Sequence, residues 1–265
     1  MAAATTELER LRAHRRALFE RSTTRSEPFP DGVAFFTPAH PTKWDRNLLL
    51  VEDATGLSAA ELIAEAERLQ APAGLRHRKI ECHRGGDALV DDFKAAGWSA
   101  DRVVVMVLRP GADQRGEAHA LVREVEFPAV RSLMEQWYGE AMSEAEARDL
   151  ADADADTAQT SGARFFLAER DGLPAACCML LPGDGVGQVE EVYTAKPYRG
   201  ARLASAVVRA AIAAARERGD DLIMIMADAE DWPQRLYERL GFETVDEYRS
   251  FTRKPNLTSP KASST

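Results

Sequence analysis

An unbroken apolar run, Leu222-Ile-Met-Ile-Met-Ala227, lies between two helical segments that each stop at a glycine, and it fixes the centre of this chain. Six residues without polar alternation read as a strand covered on both faces, the position of a central strand in a layered α/β fold. Before it, Leu203, Val207, Ala211 and Ala214 recur at helical spacing within residues 202–218, and Gly219 supplies the stop. After it, Asp231 and Pro233 offer an N-cap and a first-turn proline, Trp232, Leu236 and Leu240 share a helix face, and Gly241 ends that helix before another strand. Ahead of the long helix, the β-rich segment 188–194 turns through a doubly basic, glycine-containing loop, Pro197-Tyr-Arg-Gly-Ala-Arg-Leu-Ala204. Loop amides and the helix N-terminus converge there on one point, which suits a phosphate.

In this order the residues resemble the GNAT acetyltransferase superfamily, whose coenzyme loop is written [QR]-x-x-G-x-[GA] and whose later helix commonly ends in Leu-Tyr-Glu-x-Leu-Gly-Phe. Here Leu236-Tyr-Glu-Arg-Leu-Gly-Phe242 matches the second pattern fully. In the first, Arg199 leads and Ala204 closes, but Arg202 stands where the family has its first glycine, which is tolerable if the backbone stays helical. The resemblance covers residues 119–254. It implies a GNAT fold, an α/β (α+β) arrangement with a mixed, mostly antiparallel twisted sheet flanked by helices, and acetyl-CoA as acyl donor without a metal. The implied coenzyme residues are Val192 and Thr194 on the strand and Arg199, Gly200, Ala201, Arg202, Leu203, Ala204 and Ser205 in the loop.

The implied reaction is direct acetyl transfer to an amine, small molecule or peptide. It needs a held thioester, a base and an acid. Strand alternation places Gln188, Glu190, Val192 and Thr194 on one face and Val189, Glu191 and Tyr193 on the other, so Glu190 is preferred to Glu191 as the base. An ordinary strand glutamate salt-bridged to a neighbour weighs equally. Tyr237, in the matching motif, is the candidate acid that meets the coenzyme sulfur; a packed aromatic is the plain alternative. Many relatives carry an asparagine where this chain has Glu230. A noncatalytic acyl-CoA-binding regulatory module, or an acyltransferase with another acyl group, are the competing functions.

The N-terminal half repeats the pattern in degenerate form. Strands are expected at 33–36, 47–51, 78–82 and 103–108 and helices at 58–69 and 87–96. Aligning Gly97-Trp98 with Gly241-Phe242 puts Phe93 in the place of Tyr237, and no basic glycine loop precedes Ser58, so a noncatalytic copy is expected. The domain reading is an arm at 1–30, its first part a basic helix and 22–31 a loop, then a degenerate GNAT-like domain at 31–110, a linker at 111–117, the acetyltransferase domain at 118–255 and a disordered tail at 256–265.

Composition bears on partners. Of 265 residues, 43 are acidic and 34 basic, and the net charge of −9 argues against nonspecific nucleic-acid binding. Three cysteines, Cys82 and the adjacent Cys177 and Cys178, give neither a disulfide framework nor a zinc spacing and are expected as packing residues. No signal-peptide core or membrane-length apolar run is present, so a cytoplasmic location is expected; a homodimer is compatible with the reading. Asp149-Leu-Ala-Asp-Ala-Asp-Ala-Asp156 could attract a cationic amine or be a solvated face, and Trp137 and Tyr138 could line the acceptor cleft or close the core.

Overall fold

The structure, a computed structural model, describes residues 6–111 and 122–255. Apart from Gly111, the expected linker at 111–117 lies outside the described residues, as does the tail at 256–265. The N-terminal half supplies α1 (Glu7–Ser22), β1 (Arg25–Phe29), β2 (Gly32–Phe36), β3 (Leu48–Val51), α2 (Ala59–Gln70), β4 (Arg78–Cys82), α3 (Val90–Ala95) and β5 (Ser99–Leu108). The C-terminal half supplies β6 (Val122–Val125), α4 (Arg131–Tyr138), α5 (Glu144–Ser161), β7 (Arg164–Arg170), β8 (Leu173–Pro182), β9 (Val186–Thr194), α6 (Leu203–Arg218), β10 (Leu222–Asp228), α7 (Pro233–Arg239) and β11 (Phe242–Arg253).

All eleven strands form one sheet in the order β1-β2-β3-β4-β11-β5-β10-β9-β8-β7-β6. Pairing is antiparallel except for β3 with β4 and β9 with β10. The repeat is exact in spacing through its second part: Ala59 and Leu203 open α2 and α6, Arg78 and Leu222 open β4 and β10, and each pair stands 144 residues apart, as do Trp98 and Phe242. Registers obey the same offset, since Cys82 pairs with Arg249 while Met226 pairs with Val105. The halves nonetheless do not close on themselves. β11 lies between β4 and β5, and β5 lies between β11 and β10, so each half inserts its last strand into the sheet of the other.

Local signals explain the helices. Thr6, Ser58 and Ser143 each cap a helix and close a reciprocal box with the glutamate three residues on. The expected helix at 87–96 begins as a tight 3-10 turn at Gly86–Leu89 before α3. The loop expected at 22–31 holds a strand instead: β1 pairs with β2 at the sheet edge, where the missing amide of Pro28 costs nothing to a further neighbour. Helix α1 spans the junction of the halves, for Leu18 enters a core of the C-terminal half, Leu11 one that β5 shares with that half, and Phe19 packs with Phe35 and Leu48. Each such side chain contributes about 1.5–3 kcal/mol by burial. Helices α6 and α7 cover the opposite face of the C-terminal half. Cys82, Cys177 and Cys178 are buried and free, as packing residues should be, and burial pushes the Cys82 thiol up to about 12.

Candidate active site

The site begins where two parallel strands part. β9 and β10 pair from Val186 and Leu222 only as far as Val189 and Ile225, although β9 runs on to Thr194 and β10 to Asp228. At the fork β9 carries a bulge: its register against β8 shifts between Cys177 and Met179, and Glu191 takes a left-handed φ of 52°. The extra residue breaks the expected alternation. Val189 and Val192 both face α6, whereas Tyr193 joins the core on the opposite face. Gln188, Glu190 and Glu191 line a cavity also bounded by Leu18 and Tyr248, so Glu190 does not share the face of Val192 as alternation predicted. In the N-terminal copy β3 and β4 do not part, because after Val51 pairs with Cys82 the Ala54 amide still bonds the Arg84 carbonyl.

On the α6 side of the fork lies a cavity of about 840 Å³. Val192 and Thr194, the whole loop from Arg199 through Gly200, Ala201, Arg202, Leu203 and Ala204 to Ser205, and Tyr237 all line it. The structure thus brings together every expected coenzyme residue and the expected acid. The first-turn amides of α6 point out of the helix without intrahelical acceptors, as at any helix start. Arg202, however, does not stay in the right-handed helical region: it caps the helix at φ 60°, ψ 17°, the conformation that the family's glycine adopts without strain. Arg199 is drawn aside, its Nε donating to the Thr194 carbonyl at 3.1 Å and its Nη2 to Glu140 at 3.1 Å. Trp137 also lines this cavity and stacks on Tyr193. Around the entrance, Asp228 accepts from the Glu230 amide and Asp231 from that of Trp232, which replaces Asp231 as the residue flanking α7.

Tyr237 is 5% exposed and meets Phe242 edge-on, with no hydrogen-bond partner for its hydroxyl among the described residues. Burial holds the phenol protonated by raising its pKa, and the nearby charge of Glu190 adds to the shift. Glu190 in turn accepts from Gln188 Nε2 at 2.5 Å, and burial lifts its carboxyl above the usual range against the opposing pull of that bond and of Arg46 and Arg15.

The cavity beyond the fork, about 120 Å³, holds residues that sequence reasoning missed. Lys43 Nζ lies 2.8 Å from Asp154 Oδ1 and 2.9 Å from Glu191 Oε1, and Tyr138 donates its hydroxyl to Asp154 at 2.5 Å. Burial and the charges of Asp154 and Asp45 lift Glu191 to about 7 despite Lys43. Arg15 bonds Glu81 at 2.9 Å in the same wall. The Lys43 contacts cross from one half to the other, and no spacing in the chain announces any of these pairs. The acidic stretch is consumed internally: Asp149 and Asp156 bind His40, Asp152 binds Arg131 and Asp154 binds Lys43. Among the described residues no cluster of His, Cys, Asp and Glu could hold a metal, and no helix is long and apolar enough to cross a membrane.

Comparison with known proteins agrees with this geometry. Residues 128–242 match the sequence model of the Acetyltransferase (GNAT) family. A search of curated proteins returns no match. Among solved structures, a conserved protein of unknown function from Staphylococcus epidermidis shares the fold at a TM-score of 0.71 and 9% identity, over 87% of this chain and 94% of that one. A GCN5-related N-acetyltransferase from Kribbella flavida superposes at a TM-score of 0.63 with 18% identity, over 92% and 94%. A tandem GNAT protein from the clavulanic acid biosynthesis pathway superposes at 0.51 with 15% identity, over 74% and 69%. The chain is therefore a tandem arrangement of GNAT folds whose C-terminal unit, residues 128–242, belongs to the GNAT acetyltransferase family.

Proposed function

We propose that this chain moves an acetyl group from acetyl-CoA directly to an amine, with no covalent enzyme intermediate. The observation that carries the reading is the 840 Å³ cavity, in which the free end of β9, the basic loop at the start of α6 and the Tyr237 side chain meet. The loop amides of Leu203, Ala204 and Ser205 suit the diphosphate, and the Val192 amide suits the thioester carbonyl, whose developing charge it would stabilise. The amine nitrogen forms its bond to the carbonyl carbon as the carbon–sulfur bond breaks. Glu190 takes the ammonium proton, directly or through a water, Tyr237 gives its proton to the departing thiolate, and the second proton shed by the nitrogen as the amide forms restores the phenol.

One feature favours Glu190 over Glu191. Lys43 already occupies the Glu191 carboxylate, while Glu190 is engaged only by the Gln188 amide. Burial lifts both carboxyls, so basicity does not separate them and the Lys43 ion pair does. The test is a thermal shift with acetyl-CoA followed by coenzyme A release over a panel of amines. Acetyl-CoA should raise the melting temperature by mass action, and at least one amine should release coenzyme A. An unchanged melting curve together with no heat of binding would sink the reading, and binding without release from any amine would favour a regulatory acyl-CoA module instead.

A further inference from the structure

Arg46 is a buried charge without a counter-charge of its own. It is 8% exposed, makes no ion pair among the described residues, and its Nε has no hydrogen-bond partner. Its one hydrogen bond runs from Nη1 to the carbonyl of Asp45 at 3.2 Å, and its guanidinium rests 5.8 Å from the Phe19 ring. The carboxylates around it are engaged elsewhere: Asp45 and Asp154 by Lys43, Glu81 by Arg15, Glu191 by Lys43, and Glu190, which feels the Arg46 charge without an ion pair to it, by the Gln188 amide. A guanidinium taken out of water and left unpaired costs several kcal/mol, so such a position is rarely kept unless an anion visits it.

Its location says which anion. Arg46 lines the 120 Å³ cavity together with Glu190, and it also lines an adjoining cavity of about 180 Å³. That second space holds Arg21, whose Nε is equally unpartnered and whose Nη2 reaches only the Pro182 carbonyl. Two arginines short of carboxylates therefore line adjoining cavities, the first of which also holds the proposed base. The first cavity has room for a few heavy atoms beyond a water, which fits a compact carboxylate rather than a bulky phosphate ester. Open attraction of a polycation has no support, since the aspartates of α5 are paired within the protein.

Building on the transfer reading above, we infer that the acceptor is a small amino acid, whose carboxylate is gripped by the Arg46 guanidinium while its amine faces Glu190 at the fork. A planar guanidinium matches a carboxylate through two parallel N–H donors, and that pairing turns the amine in one direction. The N-terminal half then has a function in the reaction. It supplies the acceptor's anchor, as the C-terminal half supplies the coenzyme loop.

The experiment titrates the full chain calorimetrically with the common amino acids and with their carboxamides, which keep the amine and delete the acid. One or more free amino acids should bind, each carboxamide at least about tenfold more weakly. Arg46→Met should erase that difference and Arg46→Lys should restore part of it, with melting curves and acetyl-CoA binding confirming that each variant is folded. Should Arg46→Met not fold, the comparison of acid and carboxamide on the unaltered protein decides alone. Equal binding of acid and carboxamide, absence of binding by any amino acid, or unchanged binding in a folded Arg46→Met would overturn the inference. Coenzyme A release separates the two readings: amino acids that bind through Arg46 without being acetylated keep the anchor and sink the transfer, whereas efficient acetylation confined to amines lacking an acid does the reverse.

Discussion

Lys43 Nζ sits 2.9 Å from Glu191 Oε1, so a residue of the N-terminal half holds the bulge at which β9 parts from β10. Asp154 completes the contact at 2.8 Å, and the Lys43 and Asp154 side chains are only 6% and 1% exposed. Removing the cation leaves two buried carboxylates facing each other. Lys43→Met should therefore cost about 3–5 kcal/mol of stability. The double variant Lys43→Met with Asp154→Asn should recover part of it. Urea midpoints of both variants read this directly, and a loss below about 1 kcal/mol in the single variant would show that the triad is solvated.

The same site makes stability depend on pH. The Glu191 carboxyl titrates near 7 in the folded chain against an ordinary value of 4.5, so the folded state binds its proton more tightly than the unfolded state does. Stability is then fullest below about 4.5 and falls as pH rises towards about 7, beyond which this group adds no further slope. Glu191→Gln should flatten that fall while leaving an amide oxygen for Lys43. Identical slopes for the two proteins across this window would place the titration elsewhere.

Arg202 caps α6 in the left-handed region, at a position where a side chain costs roughly 1–2 kcal/mol. Glycine relieves that strain but loses more entropy on folding, by about 0.5–1 kcal/mol. Arg202→Gly should thus leave stability level or higher, by up to about 1 kcal/mol, while Arg202→Val should lower it. If the guanidinium meets a coenzyme phosphate, Arg202→Gly should also weaken acetyl-CoA by about 1.5–3 kcal/mol, the worth of a charge-assisted hydrogen bond. Calorimetry on the same sample measures both. Gly200, at φ 84°, is the poorer probe, because any side chain there strains the backbone before it can obstruct a ligand.

Strand exchange sets the fate of fragments. Residues 112–255 alone would lack β5, leaving β10 and β11 with facing, unpaired edges in the middle of the sheet. Such edges aggregate. The fragment should be insoluble by itself and should be recovered in solution when residues 1–111 are produced with it, the two pieces copurifying through the β5 pairings with β10 and β11. A soluble, monomeric, cooperatively melting fragment would mean that β11 can pair with β10 directly.

What the sequence disclosed and what it hid divide along one physical line. The loop, α6, β10 and α7 are local structures, written in adjacent residues by apolar spacing and by glycine stops, and the 840 Å³ cavity follows from their order. The strand order is not local. Periodicity marks β5 and β11 as strands but cannot say that each is inserted beside the other half's strand. The bulge was hidden for a different reason: a left-handed residue is normally signalled by glycine or asparagine, and here it is Glu191. One added residue turned Glu190 away from the face that alternation gave it. Lys43, Arg46 and Arg15 carry no motif at all, because each acquires its meaning only from partners far along the chain.

Tyr237 is the residue on which the chemical reading can be tested most sharply. Its ring packs at 6.2 Å from the Phe242 ring and contributes to the core around α6 and α7. Tyr237→Phe keeps that packing and deletes the hydroxyl alone. Since the hydroxyl has no protein partner among the described residues, stability should change by less than about 1 kcal/mol, and acetyl-CoA affinity should hardly move. An acid that protonates the leaving thiolate should cost on the order of 10²–10⁴ in rate when removed. Single-turnover measurement is required, because slow product release would mask a smaller loss. The neighbouring charge of Glu190 adds a second expectation: because it raises the phenol's pKa, Glu190→Gln should lower that pKa while it slows proton removal from the amine. Wild-type single-turnover rates in Tyr237→Phe would make the tyrosine a packing residue and leave the thiolate to take its proton from water.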